Sequence, residues 1–435
     1  MELEPLLDAL AGFGSGGVRV RDWRIHATDV RRLTLGVKDA HAGGPHAPLA
    51  LKRGAGARFL VVWSDGRVSR GYLERSQVED QPHRALEEAR RAAYDDPDAA
   101  RVSGPAEFSQ VELHDADTAA AARGDTAVLA RRLAGLRGAI ATPEVRTWSG
   151  SFSFALGRER VVTSAGLDAG ETATSASWHV TLNGEAGAGH AARRVEPYVE
   201  FDARLARLLD TARALLVTAA PFPGGVRPLI LHPRVVEEYV LDTLLANLSG
   251  ETVAHGEGRF RREDFDSGRP VLREDLRLSV DPLQPFRSGA YRFTAEGVPA
   301  ARCTYIETGR LIQPILDLKY AHRLGRPPTP LPLAADCLFL EGPPVLSLEQ
   351  ALERACGGAL VLSVLGVHTQ DSASGDFSLA APQALRIDAA GPAGKLRATI
   401  SGNLFDVLRD ERLALVRFPG EHTPGLVFDC RLDPG

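Results

Sequence analysis

The chain has 435 residues, 44% of them hydrophobic and 25% charged, with a formal net charge of −5 and a pI near 6.2. These are ordinary globular proportions for two or three domains of roughly 100–200 residues each, and they exclude a disordered, collagen-like or coiled-coil chain. Forty-seven Arg stand against four Lys, but they are scattered, so there is no basic block to grip phosphates and no nucleic-acid partner is expected.

The N-terminus, Met1-Glu2-Leu3-Glu4-Pro5, starts acidic and lacks the apolar core of a signal peptide. Nowhere is there a run of about 18 apolar residues, so a cytoplasmic chain with no membrane association is expected. Residues 2–10 read as a short helix, followed by Gly12-Phe13-Gly14-Ser15-Gly16-Gly17. That segment matches G-x-G-x-x-G in letters only. A dinucleotide loop follows a strand and opens a helix, whereas here a helix precedes and the alternating strand 18–25 follows, so the glycines read as a turn. Apolar runs at 57–63 and 68–73 flank Ser64-Asp65-Gly66, a hairpin signal. Helices are predicted over 83–94 and 126–136, then strands over 145–155, 159–164 and 172–182. Residues 198–217 read as an amphipathic helix with Phe201, Leu205, Leu208, Leu209, Ala212, Leu215 and Leu216 on one side.

The segment Ala219-Ala220-Pro221-Phe222-Pro223-Gly224-Gly225 is the strongest linker signal and divides a domain at 1–220 from one at 225–435. Beyond it come a strand at 227–231 and a helix at 233–248, with Pro233 in the first turn and Gly250 as its stop. Strands are then predicted at 291–294, 301–307, 311–316, 360–367, 384–387 and 396–400, with short helices at 318–324, 348–356 and 404–408. The fold class is therefore α+β in two domains, an N-terminal mixed α/β domain and a C-terminal domain rich in antiparallel strands with short helices.

Local chemistry is sparse. Cys303, Cys337, Cys356 and Cys430 form no C-x-x-C pair and read as buried or inert thiols. The nearest histidine pair, His41 and His46, lies in a Gly/Pro-rich stretch, and H-E-x-x-H, H-E-x-x-x-H, G-x-S-x-G and the P-loop pattern are all absent. Lys319 reads as a solvated charge on an amphipathic helix. His368, Gln370, Asp371, Ser372, Ser374, Asp376 and Ser378 cluster in a polar stretch. It reads as a turn joining two strands with a left-handed Gly375, the alternative being a ligand-lining loop.

A series of short motifs in the C-terminal half resembles the TldD/PmbA family in order and spacing. They are Arg227-Pro228-Leu229-Ile230-Leu231-His232-Pro233 with its following helix, Leu276-Arg277-Leu278-Ser279-Val280-Asp281-Pro282, and Ile306-Glu307-Thr308-Gly309-Arg310-Leu311. Phe293-Thr294-Ala295-Glu296-Gly297-Val298-Pro299, Tyr320-Ala321-His322-Arg323-Leu324-Gly325, Gly375-Asp376-Phe377-Ser378 and Ile400-Ser401-Gly402-Asn403-Leu404 complete the series. The resemblance implies proteolysis of small or unfolded peptides. It also implies, in catalytic TldD-type members, a zinc held by H-E-x-x-x-H on the helix after the strand-plus-Pro segment. There the metal activates a water while the Glu handles protons. Two residues five apart lie about 140° apart on an ideal helix, so such a helix must loosen.

Counted from Pro233, the motif falls on Leu241-Asp242-Thr243-Leu244-Leu245-Ala246. Leu241 and Ala246 stand for the two ligands, neither able to bind zinc, Asp242 stands for the Glu, and the helix reads as uninterrupted. On this reading the chain carries no catalytic or metal-ligating residue and no cofactor of its own. It resembles the PmbA (TldE) type, a metal-silent subunit partnered by a zinc-bearing TldD-type chain with H-E-x-x-x-H, together acting on a peptide substrate. His368, Gln370, Gly375, Asp376, Phe377 and Ser378 would then line a shared peptide groove. Two alternatives stay open, a stand-alone peptide-binding homodimer and a peptidase with a relocated site using His368 and Asp376.

Overall fold

The computed structural model describes residues 1–43, 47–195, 199–220 and 223–435. His46, Tyr198 at the start of the amphipathic helix and Pro221-Phe222 of the linker lie outside the described residues. Helix α1 (Glu4–Gly12) leads through a turn at Gly16-Gly17, both at positive φ, into the long strand β1 (Val18–Lys38). Strands β2 (Leu49–Trp63) and β3 (Val68–Glu74) make the expected hairpin, and helices α2 (Pro82–Arg91), α3 (Ala116–Ala122) and α4 (Ala127–Ala139) follow. Next come β4 (Trp148–Thr163), β5 (Asp168–Leu182), β6 (Ala186–Ala192) and helix α5 (Val199–Leu215). The strands form one antiparallel sheet in the order β3-β2-β1-β4-β5-β6.

After the linker, β7 (Gly225–Leu231) runs into helix α6, made of Pro233–Val235, a π-helical turn Val236–Leu241 and Asp242–Leu248. Helix α7 (Gly250–His255) continues from it. A small sheet contains β8 (Arg277–Val280), β9 (Cys303–Glu307) and β10 (Arg310–Leu311), and helix α8 (Leu318–Leu324) precedes its last strand, β11 (Leu338–Glu341); the order is β10-β9-β8-β11. The larger sheet adds β12 (Val345–Ser347), helix α9 (Leu348–Arg354), β13 (Ala359–Leu365), β14 (Asp376–Asp388), β15 (Gly391–Asn403), β16 (Ala414–Arg417) and β17 (Gly425–Pro434). Its order is β12-β16-β17-β15-β14-β13-β7, and β17 also pairs with β7, so five strands close into a ring with β7 as the closing stave. Closure satisfies both edges of β7.

Side-chain alternation along β7 then divides the interior. Leu229 and Leu231 join a core with Val236, Val240, Leu244 and Leu248 of α6, whereas Ile230 joins a second core with Leu205, Leu208 and Ala212 of α5. That second core also contains Phe154 and Trp178 of the first sheet and Leu360, Leu385 and Val427 of the second, so the two domains share continuous apolar packing. Polar ties reinforce it: Arg24 Nη2 lies 2.7 Å from Glu296 Oε1 with both side chains largely buried, and Lys319 Nζ lies 2.9 Å from Asp96. Lys319 is thus an interdomain ion-pair partner and not a free solvated charge.

Several boundaries differ from expectation. Residues 148–163 form one strand where two were expected, because Gly157 and Arg158 keep the pairing of β4 with both neighbours. Residues 291–294 form no strand, only an isolated bridge between Phe293 and Pro299, and the strand expected at 311–316 ends at Leu311. Helix α6 is interrupted by its π turn, and Gly250 opens α7 instead of ending α6. A Cβ at Gly250 would lie 2.7 Å from Leu316 and 2.9 Å from the Ile315 carbonyl, so close packing explains that glycine. Among the described residues no helix is long and apolar enough to cross a membrane.

Gly358 sets the approach of α9 to the closing strand, since a Cβ there would fall 1.7 Å from the Pro228 carbonyl oxygen. Gly358→Ala is expected to destabilise the chain by at least about 1–3 kcal/mol, the usual cost of forced overpacking. Guanidinium denaturation of the purified variant checks this, and an unchanged midpoint would contradict the packing described.

Candidate functional site

The positions read from sequence as the degenerate motif do not converge on a cavity. Leu241 is buried in the α6 core at 2% exposure, while Asp242 and Ala246 lie on the exposed side of the same helix. The 368–378 stretch is the turn between β13 and β14, and it is bonded mainly to itself. Ser378 N–H donates to Gln370 Oε1 at 3.0 Å, Asp371 Oδ1 accepts from Ala373 N–H at 2.9 Å, and Gly375 has φ 76°. Asn403 Nδ2 holds Asp376 at 2.8 Å, and buried Asn247 of α6 donates to the Ser372 carbonyl at 2.8 Å. His368 and Asp376 are exposed, and Phe377 packs edge-on against Tyr239 in the core.

The cavity that does carry chemistry opens at the seam between the domains, with a volume of about 550 Å³. A more open concavity of about 700 Å³ lies near Met1, Glu171 and Arg292, away from the motif-bearing helix. The seam cavity is walled by α5, the β5–β6 hairpin, the β7–α6 junction, α9, the strands β13 and β14, and the loop after β16. Each element delivers a side chain for a local reason. The last residue before α6 is His232, extended at φ −61°, ψ 146°, which caps the helix by accepting from Arg234 N–H through Nδ1 at 3.2 Å. With Nδ1 accepting, a neutral ring keeps its proton on Nε2. The ring stands edge-on to Phe418, centroids 5.1 Å apart.

Helix α5 buries Leu205 and Leu208 and brings Arg204 and Arg207, three residues apart and hence neighbours on its surface, to the cavity. Both reach Glu421, Arg204 Nη2 at 2.8 Å and Arg207 Nη2 at 2.6 Å, with all three side chains under 20% exposed. Arg204 also donates to the carbonyls of Gly420 at 2.8 Å and Gly189 at 2.5 Å, locking the hairpin, the helix and the loop together. Arg234 pairs with Glu238 at 2.7 Å. Glu237 accepts from Thr423 Oγ1 at 2.6 Å.

Burial governs the protonation of these groups. It pushes the Glu237 and Glu421 carboxyls up, against the lowering pull of Arg204 on both and of Arg207 on Glu421. His232, surrounded by protein though open to the cavity, is pushed down to about 3, by burial first and then by the charges of Arg207, Arg204 and Arg234. His232 is a neutral imidazole across the physiological range.

The window His232-Pro233-Arg234-Val235-Val236-Glu237 has the length of H-E-x-x-x-H and faces the cavity with its first and last residues. Its second position, the Glu place, is a proline with no proton to move, and its last is Glu237. Among the described residues no group of three or more His, Cys, Asp or Glu comes together in a way that could hold a metal ion. The guanidiniums of Arg204, Arg207 and Arg234 line the same cavity. The donor set here does not fit zinc. The resemblance aligns the motif with Leu241–Ala246 and not with this window. Arg204 and Arg207 were readable as a same-face pair on an amphipathic helix, but Glu421 lies over 200 residues away with no local signature.

Two outcomes are expected. Glu421→Gln should destabilise the chain by roughly 3–5 kcal/mol, because two buried guanidiniums lose their shared countercharge; chemical denaturation at neutral pH measures it. The depressed His232 contributes stability that is complete above its unfolded value of 6.5 and is lost as pH falls from there toward about 3. His232→Asn keeps a capping acceptor, so the difference in unfolding free energy between pH 7 and pH 4.5 should shrink relative to wild type. An equal difference in the two proteins would refute the assignment.

Comparison with known proteins places this architecture. Residues 224–416 match the profile of the PmbA/TldA metallopeptidase C-terminal domain. The uncharacterized protein MJ0231 of Methanocaldococcus jannaschii shares 20% identity over 271 residues, 60% of this chain and 63% of that protein, so the match spans less than two thirds of the relative. Three solved structures have the same fold across nearly their whole length. A Thermotoga maritima protein described as a modulator of a DNA gyrase superposes with a TM-score of 0.80 at 18% identity, covering 99% of this chain and 100% of its own. A Bacteroides thetaiotaomicron protein of the same description gives 0.77 at 16% identity, over 100% and 98%. TldE from Thermococcus kodakarensis gives 0.75 at 18% identity, over 95% and 97%.

Proposed function

Starting from a chain with the TldD/PmbA fold throughout and a C-terminal domain that belongs to that family, we propose that it is the metal-silent, TldE-like subunit of a heteromeric zinc peptidase. Zinc is supplied by a TldD-type partner bearing H-E-x-x-x-H, and the assembly acts on small or unfolded peptides. One observation carries the reading, the chemistry of the cavity at the β7–α6 junction. There the motif-length window offers His232, Pro233 and Glu237, and an Arg-Glu-Arg cluster occupies the adjoining wall. A zinc peptidase needs a metal-bound water and a carboxylate to take its proton, and Pro233 removes the second. The aligned positions Leu241 and Ala246 support the same conclusion, since neither side chain can ligate a metal.

The test is elemental analysis of the purified chain, followed by peptide cleavage assays with and without a TldD-type protein from the same genome. Less than stoichiometric zinc and cleavage only in the mixture are expected. Stoichiometric zinc with chelator-sensitive cleavage by this chain alone would overturn the proposal.

A further inference from the structure

Strand β2 is covered along one edge throughout and along the other only in part. β1 pairs with it from Leu49 to Trp63, whereas β3 reaches only Gly56–Val62, so residues 49–55 have no strand on their outer side among the described residues. Backbone bonding alternates along β2. Pro48 C=O accepts from Gly36 N–H of β1 at 3.5 Å, and Trp63 N–H donates to the Arg67 carbonyl on the β3 side at 2.9 Å. Odd-numbered residues therefore aim their backbone away from β1, which leaves the N–H and C=O groups of Leu49, Leu51 and Arg53 along an open edge. The side chains sort by face as well. Leu49 and Leu51 continue the face on which their partners Leu35 and Leu33 are buried, yet they are 51% and 59% exposed. Lys52 lies on the other face, directly opposite Arg32. Both are exposed, and Arg31, Arg32 and Lys52 have no ion-pair partner among the described residues, while Arg53 is held by Asp29 at 2.6 Å. Like charges directly opposite each other destabilise a sheet, and an exposed apolar edge is a template for another strand.

We infer that this open edge docks an extended segment of a protein partner, one that alternates carboxylate and apolar side chains. The added strand takes the free backbone groups of Leu49, Leu51 and Arg53. Its apolar residues cover Leu49 and Leu51 on one face, and its carboxylates meet Lys52 and Arg32 on the other. A second copy of this chain fits less well, because its own edge would bring the same cations against Lys52 and Arg32. The inference rests on the edge of the N-terminal sheet and not on the subunit reading. It is tested on this chain alone, so either can fail while the other stands.

Fluorescence anisotropy of a labelled Glu-Val-Glu-Val-Glu-Val-Glu peptide amide, titrated with the purified chain at pH 7, decides it. A Kd of roughly millimolar or tighter is expected, at least about tenfold tighter than for the same peptide with Lys in place of Glu. A strand bonds through one edge only. N-methylation of the valines alone or of the glutamates alone should therefore abolish binding in one case and preserve it in the other. Lys52→Glu should weaken binding of the acidic peptide about tenfold and tighten that of the lysine peptide, a gain that a misfolded variant cannot give. Leu51→Pro removes an outward N–H without touching the pairing to β1, and should also weaken the acidic peptide about tenfold. Acidic and lysine peptides binding alike, equal effects of the two methylations, an unchanged preference in Lys52→Glu, a folded Leu51→Pro variant that binds as wild type does, or no binding at roughly millimolar concentration would overturn it. A dimer in light scattering that the acidic peptide dissociates would also overturn it, since the edge would then belong to a second copy. If Leu51→Pro fails to fold, the methylated peptides and Lys52→Glu decide the matter.

Discussion

Strand β7 is the piece on which the rest of the molecule depends. It lies between β13, with which it pairs in parallel, and β17, with which it pairs antiparallel, and so closes the five-stranded ring. Its alternate residues feed two cores at once, Leu229 and Leu231 toward α6 and Ile230 toward α5 and the N-terminal sheet. A one-residue slip of this strand would exchange those faces. Its last residue is followed directly by His232, so the register that closes the ring also places the histidine at the cavity. Fold and site are fixed by the same backbone pairing.

The seam cavity differs in kind from a metal centre. Its polar wall is built from guanidinium groups that converge from one helix, α5, onto a carboxylate in a distant loop, and its histidine is held neutral by burial first and then by that positive surround. Ion pairs of this type are costly to bury and gain their strength from geometry and additional hydrogen bonds. Arg204 has both, since it also holds the carbonyls of Gly189 and Gly420. The wall therefore stabilises the domain seam while it shapes what the cavity accepts.

Much of the fold was legible because local rules agreed with the global result. The Ser64-Asp65-Gly66 hairpin, the turn at Gly16-Gly17 and the amphipathic α5 follow from turn chemistry and periodicity alone. The two-domain α+β arrangement followed from element order. Misreadings occur where tertiary pairing overrides a local signal. Residues 156–158 fall between two expected strands, yet β1 and β5 hold Gly157 in register on both sides. The π turn at Val236–Leu241 has no glycine or proline to announce it. The site was less legible than the fold. The polar stretch at 368–378 is a turn, as its composition indicates, and lies outside the seam cavity, whereas Glu421 and Thr423 reach the β7–α6 junction only through the closed sheet, and no sequence spacing reports that approach.

The arginine wall also gives the seam a permanence that a loaded cofactor lacks. A guanidinium stays protonated throughout the range in which proteins function, and no chelator or exchange reaction removes it. The polarity of this cavity is thus inherited with the polypeptide at synthesis.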